Sequence, residues 1–551
     1  MYVDISYSHQ GGKTYARALI RDSYRENGKV KHRTIANISK CSPEEIQAIK
    51  LALKYKNNLS DMIIDQDEIH QKQGLSVGAV ITFYQIAQKL GIVKAIGNTK
   101  MAKLMLWMVL SRLISPGSSR LEMVRLAQQH SVIDVLGIDE SFNEDDLYEA
   151  LDWADKHQEA IENRMFKRKY SDRKPELFLY DVSSSYLEGT NNELAAFGYD
   201  RDKKKGKMII VFGLLTDEEG DPISIEVFKG NTKDNKTFKN QIEKVKKRFG
   251  CERVTMVGDK GMIKSGQIEE LTAVKFYYIT SITKPEIDTL INQNAVQMEL
   301  FSEKICEIEY DNVRYVLRRN PVRVKELENT RESKIQKIKE YVQDRNRYLA
   351  EHPRAVVSVA VSYVEGLIDK LKVSNFLRVE AEGRTLSLVC DDAARKEDAR
   401  LDGCYVIKSN APKDLDKEII HQRYKDLAHV EDAFRHIKTG LLEIRPVYVR
   451  KESRTKGHVF IVMLSYSITK YLREKWIDFD ITLKEGIQEL SSICCIQTTT
   501  GAVTYNMIPE PRDLGSKLLD ALDVKLPSAI SCKGIEVATR KKLVKNRKNR
   551  K

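Results

Sequence analysis

Three acidic side chains stand where chemistry can be built. Asp181 follows the apolar run of LFLYDVSSSY, Asp259 follows that of ERVTMVGDKGM, and Glu431 lies within HQRYKDLAHVEDAFRHIKTG. The first two runs are β-branched and aromatic and read as strands, while the third has helical spacing. Two strands ending on Asp and a later helix carrying Glu can bring three carboxylates to one sheet edge, where they can hold two divalent cations. Two-metal phosphoryl transfer needs such a set, with ions about 3.5–4 Å apart. Magnesium favours oxygen ligands and takes few from the protein, so three carboxylates complement it. The reaction class this points to is the cutting and rejoining of DNA. Singly, a strand-end Asp is more often a cap, and an E-x-x-x-R pair is usually a surface salt bridge. The matching element contexts carry the reading.

The helix adds detail. Tyr424, Glu431, Arg435 and Lys438 are separated by 7, 4 and 3 residues and share one face. Leu427, Val430, Phe434, Ile437 and Leu441 line the adjoining face and can anchor the helix on a sheet, with Gly440 as its C-cap. Glu431 then points at the metals, and Arg435 and Lys438 face phosphates. A basic cluster, RDKKKGK from Arg201 to Lys207, follows the first Asp strand. Its Lys203, Lys204 and Lys205 can hold a phosphate backbone that carboxylates alone would repel.

The elements around these residues set the fold expected. Three strands (177–181, 208–215 and 223–228), a helix (237–249), a strand (253–258), a helix (265–273) and a strand (274–282) follow one another. A ribonuclease-H-like α/β sheet has that order, and other mixed sheets share parts of it. Residues 283–400 interrupt it with candidate strands KICEIEY, VRYVLRR, FLRVE and LSLVC and a charged helix over 324–349. They read as an inserted α+β domain. The core resumes at LDGCYVIKSN. The expected domains are a β-hairpin region and linker (1–75), a helical DNA-binding domain (76–172), the core in two parts (173–282 and 401–475) split by the insertion (283–400), and a C-terminal region with a basic tail (476–551). Within these, Asn27-Gly28 marks the hairpin turn, Ser42-Pro43 a helix start, and Ser141 a capping box that opens a helix to about Lys167.

Bulk properties agree with a nucleic-acid partner. The 551 residues carry 92 Lys and Arg against 79 Asp and Glu, a net charge of +13, and twelve residues from Arg540 to Lys551 include eight Lys or Arg and no acid. No apolar run is long enough to span a bilayer, and no signal peptide is evident. The eight cysteines include no C-x-x-C pair and the histidines no zinc spacing, which fits a reducing cytoplasm.

These residues together resemble a large group of bacterial insertion-sequence DDE transposases. Tyr424, Glu431 and Lys438 match the family signature Y-x2-R-x3-E-x6-K, and Leu427 stands at its Arg position. DVSSSY and GDKGM resemble the two Asp motifs, and GNTKDNKT resembles the stretch between them. LDGCYVIKSN and LLEIRPVYVRKESRTKGHVFI resemble the segments around the Glu helix, and SYRENGKVKHRTIANIS the opening of one branch.

The resemblance implies a ribonuclease-H-like core in which Asp181, Asp259 and Glu431 bind two Mg²⁺ or Mn²⁺ ions. Water attacks at the element end, and the freed 3′-hydroxyl then attacks target DNA. Tyr424 and Lys438 hold phosphates near the cut. The partners are double-stranded DNA, both terminal inverted repeats and target, and a second copy of the chain. The location is cytoplasmic, with the nucleoid. Several relatives pass through a DNA hairpin aided by a Trp in the insertion. Here the only tryptophans are Trp107, Trp153 and Trp476, leaving Tyr341, Tyr348 or Phe376 for that step. A nuclease without strand transfer and an inactive DNA-binding descendant are the alternatives.

Overall fold

The apolar runs before Asp181 and Asp259 pair with one another, and that pairing organises the larger part of the chain. The computed structural model describes residues 1–10, 13–56, 69–202, 204–438, 447–500 and 503–535, with Leu442, Ile444 and Val537. Two units are present. The larger comprises Phe83–Ala127, Leu136–Ile487 and Ile535–Lys551; the smaller comprises Met1–Thr82, Gln128–Val135 and Gln488–Gly534.

In the larger unit, helix α1 (Glu144–Lys169) precedes strands β1 (Leu177–Tyr186), β2 (Ile209–Thr216) and β3 (Pro222–Lys229). Helix α2 (Asp234–Glu243), strand β4 (Thr255–Val257), helix α3 (Ser265–Ala273) and strand β5 (Tyr277–Ser281) follow. Strands β6 (Cys306–Tyr310), β7 (Val313–Arg319) and β8 (Cys404–Ser409) complete an eight-stranded mixed sheet of order β6-β7-β8-β5-β4-β1-β2-β3. β1, β2 and β3 are antiparallel, and β1, β4 and β5 are parallel. Every residue of β2 is buried, as its unbroken apolar sequence IIVFGLLT requires of a strand covered on both faces. One core lies between the sheet and α2 and α3, with Phe178, Tyr180, Val211, Phe238, Met256 and Leu271 at its centre.

Most strands and helices of 177–282 stand within a few residues of their expected places. The largest shift is at β1, expected to end on Asp181 but running on to Tyr186; α2 starts at Asp234 and ends in a single π turn over Lys244–Arg248. The capping box before α1 is built by Asn143 and not by Ser141. The Asn143 side chain accepts from the Asp145 and Asp146 amides, and the Asp146 carboxylate accepts the Asn143 amide. An acid at the third helical position satisfies that exchange as Glu would.

Residues 283–400 divide. β6 and β7 join the large sheet through β8, whereas helices Pro321–Glu351 and Val357–Leu371 close on the hairpin Leu377–Glu382/Thr385–Cys390 with a core of their own. Phe376 is part of that core; Tyr341 packs half-buried against it and accepts Arg345 at its hydroxyl, and Tyr348 is exposed and stacks on His352.

In the smaller unit the hairpin region is three-stranded (Tyr2–Gln10, Lys13–Glu26, Lys29–Asn37), followed by a helix from Pro43 capped by Ser42. Of the stretch read as linker, residues 57–68 lie outside the described residues, and Ile69–Ser76 is a strand paired with Cys494–Thr500. Its sequence IHQKQGLS has no alternating pattern, and its partner, from the far end of the chain, supplies the order.

Candidate active site

Strand register puts the two aspartates on neighbouring chain segments. β1 and β4 run parallel with Leu179 opposite Val257. Two residues past that pair stand Asp181, in the middle of β1, which runs on to Tyr186 rather than ending on the Asp, and Asp259, just after the end of β4. Asp181 accepts its neighbour Val182's amide at 2.7 Å, and Asp259 accepts that of Lys260 at 2.7 Å. The Asp259 carbonyl also takes the amides of Met262 and Ile263, closing the turn that follows β4.

Glu431 comes from the other direction. The expected single helix is two, α4 (Lys417–Lys425) and α5 (Leu427–Lys438), with a one-residue break at Asp426. There the His429 amide bonds to the Asp426 carbonyl, a tighter step than the α-helical one. Leu427, Val430, Ala433, Phe434 and Ile437 of α5 are buried, and Phe434 meets Phe212 of β2 edge-on at 5.5 Å. α5 thus lies on the sheet with Glu431 and Arg435 on its exposed side.

Asp181 carries the electrostatic mark of the site. Burial pushes the Asp181 carboxyl up to about 7, and the charges of Asp259 and Glu431 add to the rise, against the Val182 amide and Arg201. Tyr424 is pushed up to about 12 by burial and by the same three acids, while its hydroxyl donates to Ser281 Oγ at the end of β5 across 2.8 Å. The donor set is all oxygen, which suits Mg²⁺ or Mn²⁺ and not zinc.

The cations of the sequence reading are placed unequally. Lys438 Nζ donates to Asp202 Oδ1 at 3.1 Å, with only 12% of its side chain accessible. Arg435 is exposed and pairs with Asp432 at 3.5 Å. Lys204 and Lys205 are exposed, Lys204 lying 5.9 Å from the Tyr186 ring centre. Lys203, Gly440, Leu441, Arg445 and the basic tail from Arg540 lie outside the described residues. Leu427, at the signature's Arg position, is 8% exposed and belongs to the core; nearby Arg423 is engaged by Glu218 at 2.7 Å.

A second acidic group, Asp217, Glu219 and Asp221, has ligand atoms within 4.8 Å of one another and is the only such cluster among the described residues. It forms the β2–β3 turn, and its charges are already matched. Lys169 binds Asp217 and Asp221, Lys470 binds Asp221, and the Tyr170 hydroxyl donates to Asp217 at 2.6 Å. Close ammonium groups on two of three carboxylates make this a structural turn rather than a cation site.

Residues 4–66 match the model of the IS1634 family transposase N-terminal domain. Residues 172–468, more than half of the chain, match the transposase DDE domain. The chain belongs to the insertion-sequence DDE transposases. No curated protein matches this transposase. Among solved structures it is similar to a piggyBac transposase synaptic complex with hairpin DNA, at 10% identity and a TM-score of 0.33 over 75% of this chain and 70% of that one. The matched DDE region contains all three carboxylates and both lysine-bearing elements. Among the described residues no helix of the transposase is long and apolar enough to cross a membrane.

Four residues near the candidate site escape a reading by motif: Arg201, Asp202, Asp234, which accepts from Arg201 at 2.6 Å, and Ser281. Arg201 and Asp202 open the basic cluster, where charge alone draws the eye to the lysines. Asp234 lies in GNTKDNKT and reads as a helix cap. Ser281 carries no signal at all.

Proposed function

We propose that this transposase cuts the ends of its insertion sequence and joins the freed 3′-hydroxyls to target DNA, with Asp181, Asp259 and Glu431 as ligands of two Mg²⁺ or Mn²⁺ ions. The observation that carries the reading is the placement of Asp181 on β1 and Asp259 just after the neighbouring parallel strand β4, with Glu431 on the helix α5 laid on the same sheet. Bound there, the ions would supply activation of the attacking oxygen and neutralisation at the leaving oxygen. The order β3-β2-β1-β4-β5, three antiparallel strands then two parallel ones, supports a ribonuclease-H-like core.

The protein's own residues bind and orient the DNA. Arg435, Lys438, Lys203, Lys204 and Lys205 hold phosphates, and Tyr424 braces α4, the helix just before that of Glu431, against β5. The helical segment 76–172 and the insertion 283–400 contact duplex outside the reacting centre, and two copies of the chain pair two element ends. The site of action is the cytoplasm, at the nucleoid.

The test is to incubate the protein with Mg²⁺, donor DNA carrying its element ends, and a target plasmid. Joined product is expected, and its loss in Asp181→Asn. Cleavage without joining would leave a metal-dependent nuclease. End binding with unchanged, metal-independent behaviour in Asp181→Asn would leave a DNA-binding protein.

A further inference from the structure

The loop between β1 and β2 does more than carry charge. Building on the reading above, we propose that Arg201 grips a phosphate of the bound DNA beside the end of β1, and that Asp234 sets the orientation of its guanidinium.

Arg201 is held at both ends. Its amide donates to Ser184 Oγ of β1 at 3.1 Å, three residues beyond Asp181, and its Nη2 donates to Asp234 Oδ1 at 2.6 Å in the first turn of α2. The guanidinium also lies 5.7 Å from the centre of the Tyr199 ring. Asp234 in turn looks toward the Asp259 turn, since a Cβ added at Gly261 would stand 3.6 Å from its Oδ2. Arg201 is thus tied to β1, the strand that carries Asp181, and its partner Asp234 lies beside the turn that follows Asp259.

The backbone beneath is fixed. A Cβ at Gly198 would meet the Gly230 carbonyl at 2.1 Å, and one at Gly230 would meet the Ile209 carbonyl at 1.9 Å. Only two glycines let these segments touch, and the Gly230 amide bonds to the Leu194 carbonyl at 2.9 Å. A loop locked this tightly can place a guanidinium accurately, and the side chain stays 20% accessible. A guanidinium has five N–H donors in a fixed fork suited to phosphate, so one carboxylate leaves it able to bind bidentately. The next residue turns the other way, Asp202 pairing with Lys438. One dipeptide thus touches α2, whose Asp234 lies beside the Asp259 turn, and α5, which carries Glu431.

The experiment compares wild type, Asp181→Asn, Arg201→Gln, Arg201→Lys, Asp234→Asn and the double variant Arg201→Gln/Asp234→Asn. Three quantities are read: single-turnover cleavage at saturating end DNA, the salt dependence of end binding, and Tm. Arg201→Gln is expected to cut cleavage on the order of 10²-fold and to lower the salt slope by about 0.9, one phosphate. Arg201→Lys should keep the slope yet regain only part of the rate, having lost the fork. Asp234→Asn should keep the slope and lose rate, and should add nothing in the Arg201→Gln background.

A folded Arg201→Gln with wild-type rate and slope overturns the inference. Should that variant fold poorly by Tm, a wild-type rate in Arg201→Lys overturns the oriented fork instead. Asp181→Asn separates the two levels: cleavage like wild type there defeats the metal-site reading, whereas a dead Asp181→Asn beside an unaffected Arg201→Gln defeats only the role of Arg201.

Discussion

Lys438 and Asp202 form an ion pair of 3.1 Å in which only 12% and 6% of the two side chains remain accessible. The family signature's lysine is thus neutralised by the protein in the absence of DNA. Removing one partner of a shielded pair strands the other charge and costs on the order of 3 kcal/mol. Asp202→Asn should therefore lower Tm by several degrees in the free enzyme. With end DNA bound the loss should shrink, because a phosphate takes the place of the carboxylate. Equal losses with and without DNA would count against phosphate contact. Lys438→Gln should in addition reduce the salt sensitivity of end binding.

Tyr424 and Ser281 share a hydroxyl hydrogen bond worth about 1 kcal/mol. Tyr424→Phe and Ser281→Ala should give similar small falls in Tm. If the bond serves only to brace α4, both should slow cleavage alike. A larger loss in Tyr424→Phe alone would assign the hydroxyl a contact with DNA.

Leu427 occupies the signature's Arg position but packs in the core of α5. Leu427→Arg should not restore a phosphate contact. It should destabilise by several kcal/mol, roughly the cost of an unpaired buried charge, with the salt slope of binding unchanged. A steeper slope in a stable variant would refute this placement.

The Asp217–Glu219–Asp221 turn gives a further separation. Mn²⁺ binding, followed by its relaxation signal, should be lost in Asp181→Asn and Asp259→Asn and retained in Asp217→Asn. Asp217→Asn should instead lower Tm, since it removes the partner of Lys169 and Tyr170. Loss of Mn²⁺ from Asp217→Asn alone would move the metal site.

Histidines supply a pH signature. His458 Nδ1 accepts from both Arg112 (3.1 Å) and Arg120 (3.2 Å), and burial with these two charges holds its pKa well below the ordinary value. His421, packed by Tyr405 beside Lys425 and Arg318, is lowered to about 4, chiefly by burial. An unfolded histidine takes its proton near pH 6.5, so the unfolded chain binds more protons below that value. The stability these groups contribute is present above pH 6.5 and fades as pH falls toward 4. Asp181, raised by burial, works in the opposite sense, so the readout is a difference. The Tm deficit of His421→Gln against wild type should narrow between pH 7 and pH 4.5; a constant deficit would contradict the depressed value.

Much of the site was legible because it rests on local pattern. β1 and β4 announce themselves by apolar runs ending on Asp, and α5 by the spacing of Leu427, Val430, Phe434 and Ile437. What was not legible depends on partners distant in the chain. The break at Asp426 follows from docking α4 and α5 onto different strands. β6 and β7 needed β8 to show that they extend the large sheet, and Ile69–Ser76 needed Cys494–Thr500 to become a strand at all. Arg201 and Asp234 are ordinary residues until a glycine contact between two loops brings them together.

The insertion separates Glu431, the last of the three proposed metal ligands, from Asp181 and Asp259 by a long stretch of chain. A product halted inside it, by an early stop or a frameshift, would retain both aspartates and lack the glutamate. Such a fragment could occupy element ends without cutting them. A mobile sequence decaying by random mutation would then tend to produce its own competitors, restraining the intact copies that remain.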